Sequence, residues 1–534
     1  MNCSRVLQVL AASCLLAGGV QAAELSVIDF GAASDDGKSD VAAFVAAVEQ
    51  AQPGDCVLVP AGTFAFDAQV ALKTGVAVRG MGGDATRLVH IGEKSHCFFR
   101  ITKVEDVEVS HLGIDGCNHP KSQQGIVASQ CERVYLHHLI IENFVDTGAF
   151  GPHGILCSRA SNTTISDNVI RNMAPDDPWG AGMRLGEPCS GNLIERNHIH
   201  NTGRGGIFTN NGSGDAIIRE NVITGSHGIA FAIEVHSRSV RTVVEDNIVD
   251  HGLSIVSANC AVRRNIVLDP EGTWGSYGIE GGGGPDGVVT DNIINYGQKQ
   301  GISLSGWQRY MFWSRNSFVN CSTWGLQIQG PSEEKRIHCL YFYKNRFSHM
   351  KKGHPSAQYP GHDGSGIRFN DHAEYVTFDS NRITDNGALG IQVTSGKDVN
   401  HISFIDNVIT NNAAGAINQY PGDTLVWRGN LVSGNGGSTK MKSMGDYGTP
   451  PTASMEAPDT ACVGESVEFR STSIAGSAEV DHVLWDLGAG IPVNTPIATY
   501  TYEKAGAYVV SLIVWDKDGR GARPAEHTIR VAAE

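Results

Sequence analysis

Residues 197–210 read NHIHNTGRGGIFTN. Two short phrases stand in it, Asn-x-Ile beginning at Asn197 and Gly-Ile at Gly206, and both recur along the chain. The first, Asn-x-(Ile/Val/Phe), returns at Asn168, Asn197, Asn221, Asn247, Asn265, Asn292, Asn316, Asn345, Asn381, Asn407 and Asn430. Its spacings run from 18 to 36 residues, a mean period of about 26, as expected for a constant scaffold with variable loops. The second follows it, at Gly154-Ile155, Gly182-Met183, Gly206-Ile207, Gly278-Ile279, Gly301-Ile302, Gly325-Leu326, Gly366-Ile367 and Gly390-Ile391. Both phrases are β-branched, alternating and bounded by Gly, Asn, Asp and Ser, so each unit is a set of short strands. One such coil cannot bury its apolar face, but stacked coils share a core and pair their backbones about 4.8 Å apart. The expected fold is therefore all-β, a parallel β-helix. The Asn column is read as structural: Asn tolerates the left-handed corner and bonds to the Asn above and below. Leucine-rich and helical solenoids would need a Leu spacing or 3.6-residue periods that are absent.

Outside the repeat, residues 1–22 carry an apolar run from Val6 to Ala17 and end in Val20-Gln21-Ala22, the pattern of a secretory signal peptide. The expected location is secreted or periplasmic. Removing this segment takes Cys3 and Cys14 and leaves ten of the 12 cysteines. They lack any C-x-x-C, so spacing fixes neither a disulfide pairing nor a zinc module, and small apolar core residues are an equal reading. A net charge of −15 argues against nucleic-acid or anionic-membrane binding, and no membrane insertion is expected. An anionic substrate would have to meet local arginines.

Residues 27–64 contain a strand, the turn Asp35-Asp36-Gly37, an amphipathic helix that Ser39 could cap, and a return strand at Val57-Leu58-Val59. The phrases DFGA at 29–32 and VPAGTF at 59–64 resemble the opening of the pectate-lyase/polygalacturonase superfamily of right-handed β-helices. The resemblance implies that the helix caps the open N-terminal end of the coil and hides its strand edges. It covers about residues 24–440, within a domain assigned to 23–432. The repeat ends in a Gly/Ser/Thr-rich stretch, 433–451, read as a linker. Beyond it, Trp485-Asp486-Leu487-Gly488 and the alternating run from Tyr500 to Asp516 resemble a PKD domain, assigned to 452–534, an immunoglobulin-like β-sandwich. Ala489 stands where that family has a second Asp. Such modules, the resemblance implies, serve as spacers or weak glycan or protein binders, and Trp485 is read as sandwich core.

Chemistry on a β-helix sits on outward strand positions and adjoining loops, because inward positions are packed. If Ile of each Gly-Ile points inward, the next residue points out, giving the column Leu156, Arg184, Phe208, Glu234, Ser254, Glu280, Ser303, Gln327, Arg368 and Gln392. A second column reads Ser158, Gly186, Asn210, His236, Val256, Gly282, Ser305, Gln329, Asn370 and Thr394. Glu234 and Glu280 suit the acid and base of an inverting glycosidase, with His236 tuning them. Two Glu with nearby Asp equally suit Ca²⁺, although no cofactor is required. Arg184, Asn210, Gln327, Arg368 and Asn370 would bind substrate, and Trp179, Trp274, Tyr277, Trp307 and Trp324 would present rings to sugar faces. His349, His354 and His362 lie in one long loop without zinc-ligand spacing, so a solvated loop is expected.

The polygalacturonase signatures NTD, DD, GHG and RIK are missing, with Ser226-His227-Gly228 the nearest fragment. The Asp-Pro-His-Asp of mannuronan epimerases is also missing, though Gly151-Pro152-His153-Gly154 holds its Pro-His. Three classes follow. The leading one is a secreted glycoside hydrolase using Glu234 and Glu280 on a polysaccharide or oligosaccharide. The second is a lyase or C5-epimerase on a uronate polymer, with Arg184 or Arg368 neutralising the carboxylate and His236 or an Arg abstracting the proton. The third is a non-catalytic glycan-binding or adhesion protein. Sugar, linkage and oligomeric state, a trimer included, are not specified.

Overall fold

The computed structural model describes residues 22–533 except 149–150, 178, 227–230, 237, 269–276, 296–299, 307, 353–363, 395–397 and 438–440. The signal segment 1–22 thus lies, but for Ala22, outside the described residues. The chain divides into two compact units, one ending at Ser239 and one beginning at Val240. The division falls inside the repeat, and the PKD-like sandwich belongs with the coils that precede it.

The first unit is a stack of three-strand coils, all paired in parallel. One coil is formed by Leu193–Glu195, His198–Thr202 and Gly205–Thr209, and the next by Ile217–Arg219, Val222–Ser226 and Ile233–Val235. These define a first, second and third sheet. Inward positions stack like on like: Ile165, Ile194 and Ile218 in the first sheet, and Ile170, Ile199 and Ile223 in the second, all fully buried. Burying that unbroken aliphatic column is what holds short strands in one register. The expected helix, Val41–Gln50, covers the N-terminal end, where Phe44 meets Phe64 and Phe66 edge-on at 5.9 and 4.9 Å. Its N-cap residue is Asp40, one later than expected. The Asp40 carboxylate accepts the Ala33 and Ala65 N–H groups, each at 2.9 Å, and ties the cap to the coil. Ser39 instead donates to Asp67 and accepts the Val41 N–H at 3.4 Å.

The second unit repeats the three-sheet coil and then changes its filling. Along the first sheet Val262 and Val289 give way to Trp313, Phe342, Phe378 and Phe404. The rings stack at 5.8, 4.7 and 5.1 Å. At the corner between first and second sheets the asparagines form a ladder. Asn292 donates its Nδ2–H to Asn316 Oδ1 at 2.9 Å, Asn316 to Asn345 at 2.9 Å, and Asn345 to Asn381 at 3.1 Å. In the first unit Asn168 and Asn197 do the same. The left-handed residue at this corner is the one before each Asn, contrary to expectation: Arg196, Arg264, Asp291 and Arg315 have φ of 53, 53, 59 and 56°. Asn is selected because only its amide offers an acceptor to the rung below and donors to the rung above. The left-handed residues form their own outward rail, in which Arg196 grips Asp167, and Arg315 grips Asp291, through two hydrogen bonds each.

The C-terminal sandwich packs a three-stranded sheet on a four-stranded one, in the order Thr460–Cys462, Ala525–Ala532, Gly506–Asp516, Val480–Asp486. Trp485 is core, buried with Phe469, Leu512 and Ile529, and its indole N–H donates to Thr495 O at 2.9 Å. The sandwich is docked on the outer face of the first sheet rather than tethered. Arg263 donates to Asp486 Oδ1 through Nε and Nη2 at 3.0 and 2.7 Å, and both side chains are 1% exposed. Arg523 makes a two-bond contact to Asp379 at 2.7 Å each and reaches Asp406, while the Tyr341 hydroxyl also donates to Asp379. All ten described cysteines are free thiols; the eight buried ones serve as small core residues, while Cys117 and Cys462 are exposed.

Two stability outcomes follow. Asn316→Ala strands Val289 O and the Asn292 backbone N–H; each buried unsatisfied group costs about 1–3 kcal/mol, so urea unfolding should show a loss of roughly 3 kcal/mol or more. Arg263→Met leaves Asp486 buried without its cation, a loss of about 3–5 kcal/mol. Adding Asp486→Leu should return part of it, and calorimetry of the single and double variants measures the difference.

Candidate functional site

The third sheet carries the expected outward column in the expected register. In the first unit Leu156, Arg184, Phe208 and Glu234 are direct parallel neighbours, outside an inward row of Ile155, Met183, Ile207 and Ile233. In the second, Ser254 pairs with Glu280, Glu280 with Ser303, Ser303 with Gln327, Gln327 with Arg368, and Arg368 with Gln392. Period-two alternation fixes these side chains outward once the Gly-Ile row is packed inside.

Around the first-unit column the charges are tightly organised. Glu234 is only 5% exposed. Arg204 Nη2 donates to its Oε2 at 2.9 Å, and Arg204 Nε stands 2.9 Å from Oε1, an ion-pair approach off the hydrogen-bond line. The Arg204 and Arg184 guanidiniums both lie over the Phe208 ring, at 5.0 and 5.3 Å from its centre. Arg204 also reaches the Trp179 ring at 5.7 Å, and that ring is 46% exposed. Burial, and next the like charge of Arg204, make Arg184 easier to deprotonate than a free arginine, with Glu234 opposing. Asn210 is 8% exposed and its Oδ1 is buried without a hydrogen-bond partner. His236 is exposed at the strand end, its N–H donating to Thr209 O.

In the second unit Ser254 Oγ donates to Glu280 Oε2 at 2.6 Å. Gln327 and Asn370 both donate to Gln329 Oε1, at 2.9 and 3.2 Å. Ser254, Ser303 and Gln327 are buried although they face outward. Two acceptors there, Asn370 Oδ1 and Gln392 Oε1, are buried and unpartnered. Arg368 lies 4.0 Å from the Trp324 ring centre. Trp324 corrects an expectation: it opens the strand Trp324–Gln329, is 1% exposed and is covered by Arg368, so it presents no ring to solvent. Tyr277 is half-buried. Trp274, Trp307, His354, His362 and the His227-Gly228 pair lie outside the described residues. Among the described residues no three His, Cys, Asp or Glu side chains come together as metal ligands, and no helix is long and apolar enough to cross a membrane.

One participant, Arg204, is absent from the sequence reading, and a second, His153, stands in it only within the fragment Gly151-Pro152-His153-Gly154. Arg204 sits in the turn between second- and third-sheet strands, where period-two registration does not reach; the brevity of that turn, Gly203-Arg204, is the signal that would have placed its side chain on the column. His153 opens the strand His153–Ser158, is 2% exposed, and has both ring nitrogens buried without partners.

Comparison with known proteins bears on fold and family. The model described as right handed beta helix region matches residues 98–267, 251–398 and 340–447, and the PKD domain model matches 448–531. A variant of the tailspike protein of E. coli bacteriophage HK620, in complex with a hexasaccharide, aligns over 92% of this chain and 93% of its own at 12% identity, with a TM-score of 0.53. The mannuronan C-5 epimerase AlgE6 A-module of Azotobacter vinelandii aligns over 77% of this chain and 99% of its own at 15% identity, with a TM-score of 0.41. A microbial collagenase of Vibrio alginolyticus is 33% identical over 117 residues, which span 22% of this chain and 12% of the collagenase.

Burial, with help from the Arg184 charge, pushes the His153 pKa down to about 3 from 6.5. The native ring stays neutral while the unfolded chain binds a proton below pH 6.5, so this contribution to stability is intact above that pH and is lost as pH falls towards 3. His153→Leu should therefore flatten the stability profile between pH 7 and 5 by roughly 1.4 kcal/mol per pH unit below the unfolded pKa, measured by urea unfolding at each pH.

Proposed function

The chain belongs to the right-handed β-helix family and carries a C-terminal PKD domain, and from that premise we propose that it is an exported protein that binds a polysaccharide or oligosaccharide along the outer face of its third sheet and cleaves its glycosidic bonds. The observation that carries this reading is the second unit's polar column. Six consecutive rungs, from Ser254 to Gln392, present polar side chains outward over about 24 Å at 4.8 Å per rung. A buried acceptor without a partner is destabilising, and the column's surroundings hold two, on Asn370 and Gln392. Their natural complement is a ligand dense in hydroxyl donors. The HK620 tailspike variant, similar in fold, is in complex with a hexasaccharide; the support for the same ligand class here is this chain's own polar column.

Hydrolysis is the finer reading. Glu280 accepts only the neutral Ser254 hydroxyl among the described residues, which leaves it suited to passing a proton to the leaving oxygen or taking one from the attacking water. Glu234, gripped by Arg204, is suited to being a charge partner that fixes that guanidinium. Residues 1–22 are proposed as the export signal.

Turnover on neutral and uronate polysaccharides, followed by reducing ends and by ultraviolet absorbance of unsaturated products, tests the assignment. Glu280→Gln should lower the release of reducing ends by about 10²-fold or more with the fold intact by circular dichroism. Release unchanged in Glu280→Gln would overturn its role, and absorbance rising with the reducing ends would replace hydrolysis by elimination.

A further inference from the structure

We propose that the first unit carries a proton-operated latch at the corner where its N-terminal coils pass from the second sheet to the third. Three stacked imidazoles, of His90, His96 and His119, hold the turns 91–95 and 116–121 closed while they are neutral and release them when the stack takes up protons. The latch is independent of the glycan reading above.

His90 ends the strand Thr86–His90 and His96 opens the strand His96–Thr102, so the two flank the turn 91–95. His119 follows the strand Gly113–Asp115 of the next rung. There Cys117 and Asn118, left-handed at φ 55 and 52°, reverse the chain and return the His119 ring onto the stack. His90 is the middle ring, 4.2 Å from the His96 ring centre and 4.8 Å from that of His119, with interplanar angles of 15 and 28°. The stack leans on the aromatic core through Phe98, which the His90 and His96 rings approach at 6.3 and 5.9 Å. His90 is 3% exposed, and both its ring nitrogens and Nε2 of His96 are buried without partners. Ser95, within the first turn, donates its hydroxyl to Asp146 at 2.6 Å, in the loop that leads to the strand His153–Ser158. Release of the corner therefore reaches the margin of the third sheet.

Neutral imidazoles stack as aromatic rings do, whereas imidazoliums at this spacing repel one another with little water between them. The surrounding groups do not relieve that repulsion. Among the described residues no carboxylate hydrogen-bonds to any of the three rings. Asp67 acts on His96 through its charge alone, and the Lys94 carbonyl meets His96 Nδ1 at 3.1 Å. His119 Nδ1 accepts the Lys121 N–H at 3.2 Å. On the other side Arg87 is already paired with Asp115 and Glu142, and burial keeps the Cys117 thiol protonated. Burial, and next the charges of His96 and His119, push the His90 pKa down to about 4 from 6.5. Burial also lowers that of His96, against the Lys94 carbonyl and Asp67. The closed corner is thus fully stabilised above pH 6.5, and that contribution is lost as pH falls towards 4.

Hydrogen exchange of the full chain tests the latch, read by mass spectrometry at pH 7, 6 and 5 and corrected for the intrinsic pH dependence of exchange. Peptides over residues 86–98 and 114–122 should lose protection by up to about ten-fold per pH unit for each proton taken up. Peptides over the ladder from Asn292 to Asn381 should keep theirs. His90→Phe retains an aromatic ring, loses no hydrogen bond because both nitrogens lack partners, and takes up no proton, so it should hold both turns closed at pH 5. His96→Phe, with one proton fewer to take up, should make the loss shallower and is the second variant should His90→Phe not fold. His153→Leu, which removes the other strongly shifted histidine of the unit, should leave the opening as in wild type. Protection of both turns unchanged from pH 7 to 5 in the wild-type chain would overturn the latch. Loss at the same pH in every segment would replace it by global acid unfolding. Opening of His90→Phe and His96→Phe as steep as that of wild type would overturn the role of the stack.

Discussion

From Asn168 onward, the amide of one asparagine per coil is the bond on which the rest depends. Parallel strands of three residues make too few backbone hydrogen bonds to define their own register, and an apolar column tolerates sliding along the rung. At each of these corners the Asn amide accepts from the coil below through Oδ1 and donates to the coil above, as Asn316 does between Asn292 and Asn345. Each amide is also anchored to a backbone carbonyl, Val289 O in the case of Asn316. The position of every outward side chain, and so of any site on the third sheet, follows from that registration.

The second unit treats its outer faces unequally. The first sheet is sealed by the sandwich through Arg263 and Asp486, a charge pair removed almost completely from water. Such pairs contribute little net stability over an apolar contact, but they tolerate no misalignment. The cost of the pair is offset by what it specifies: one docking position for the sandwich, reinforced by Arg523 on Asp379 and by His482 stacked on Tyr310 at 3.9 Å. The third sheet instead presents an outward polar column from Ser254 to Gln392.

The legible parts were those dictated by period and packing. Gly-Ile anchored the inward row, and the outward column from Leu156 to Gln392 follows by counting. The cap helix was legible because the hydrophobic face of Val41–Gln50 has a turn before it and a strand after it. Its cap residue was misplaced by one, since Ser39 and Asp40 are both good caps by type, and only the tertiary bonds of Asp40 to Ala33 and Ala65 distinguish them. The Asn column was recognised, but its left-handed neighbour was not, because Arg196 or Arg315 has no intrinsic preference for that conformation and is held there by the repeat. Trp324 was misread as a loop ring because nothing local announces that Arg368 of the next rung will cover it. The docking of the sandwich was invisible for a similar reason. Arg263 and Asp486 are 223 residues apart, and no pattern within either segment predicts that they meet.

The corner ladder also gives each unit the properties of a graduated scale. Loop lengths vary from coil to coil, yet the ladder and the inward rows repeat, so all variation is discharged sideways into loops and none into the direction of the axis. Deleting or inserting a whole coil within a unit would then move two side chains of one column nearer or farther by a single division of about 4.8 Å, with their orientation preserved. Spacing between charged groups on such a face is adjustable in fixed steps, by a kind of sequence change that leaves every remaining rung with the neighbours it needs.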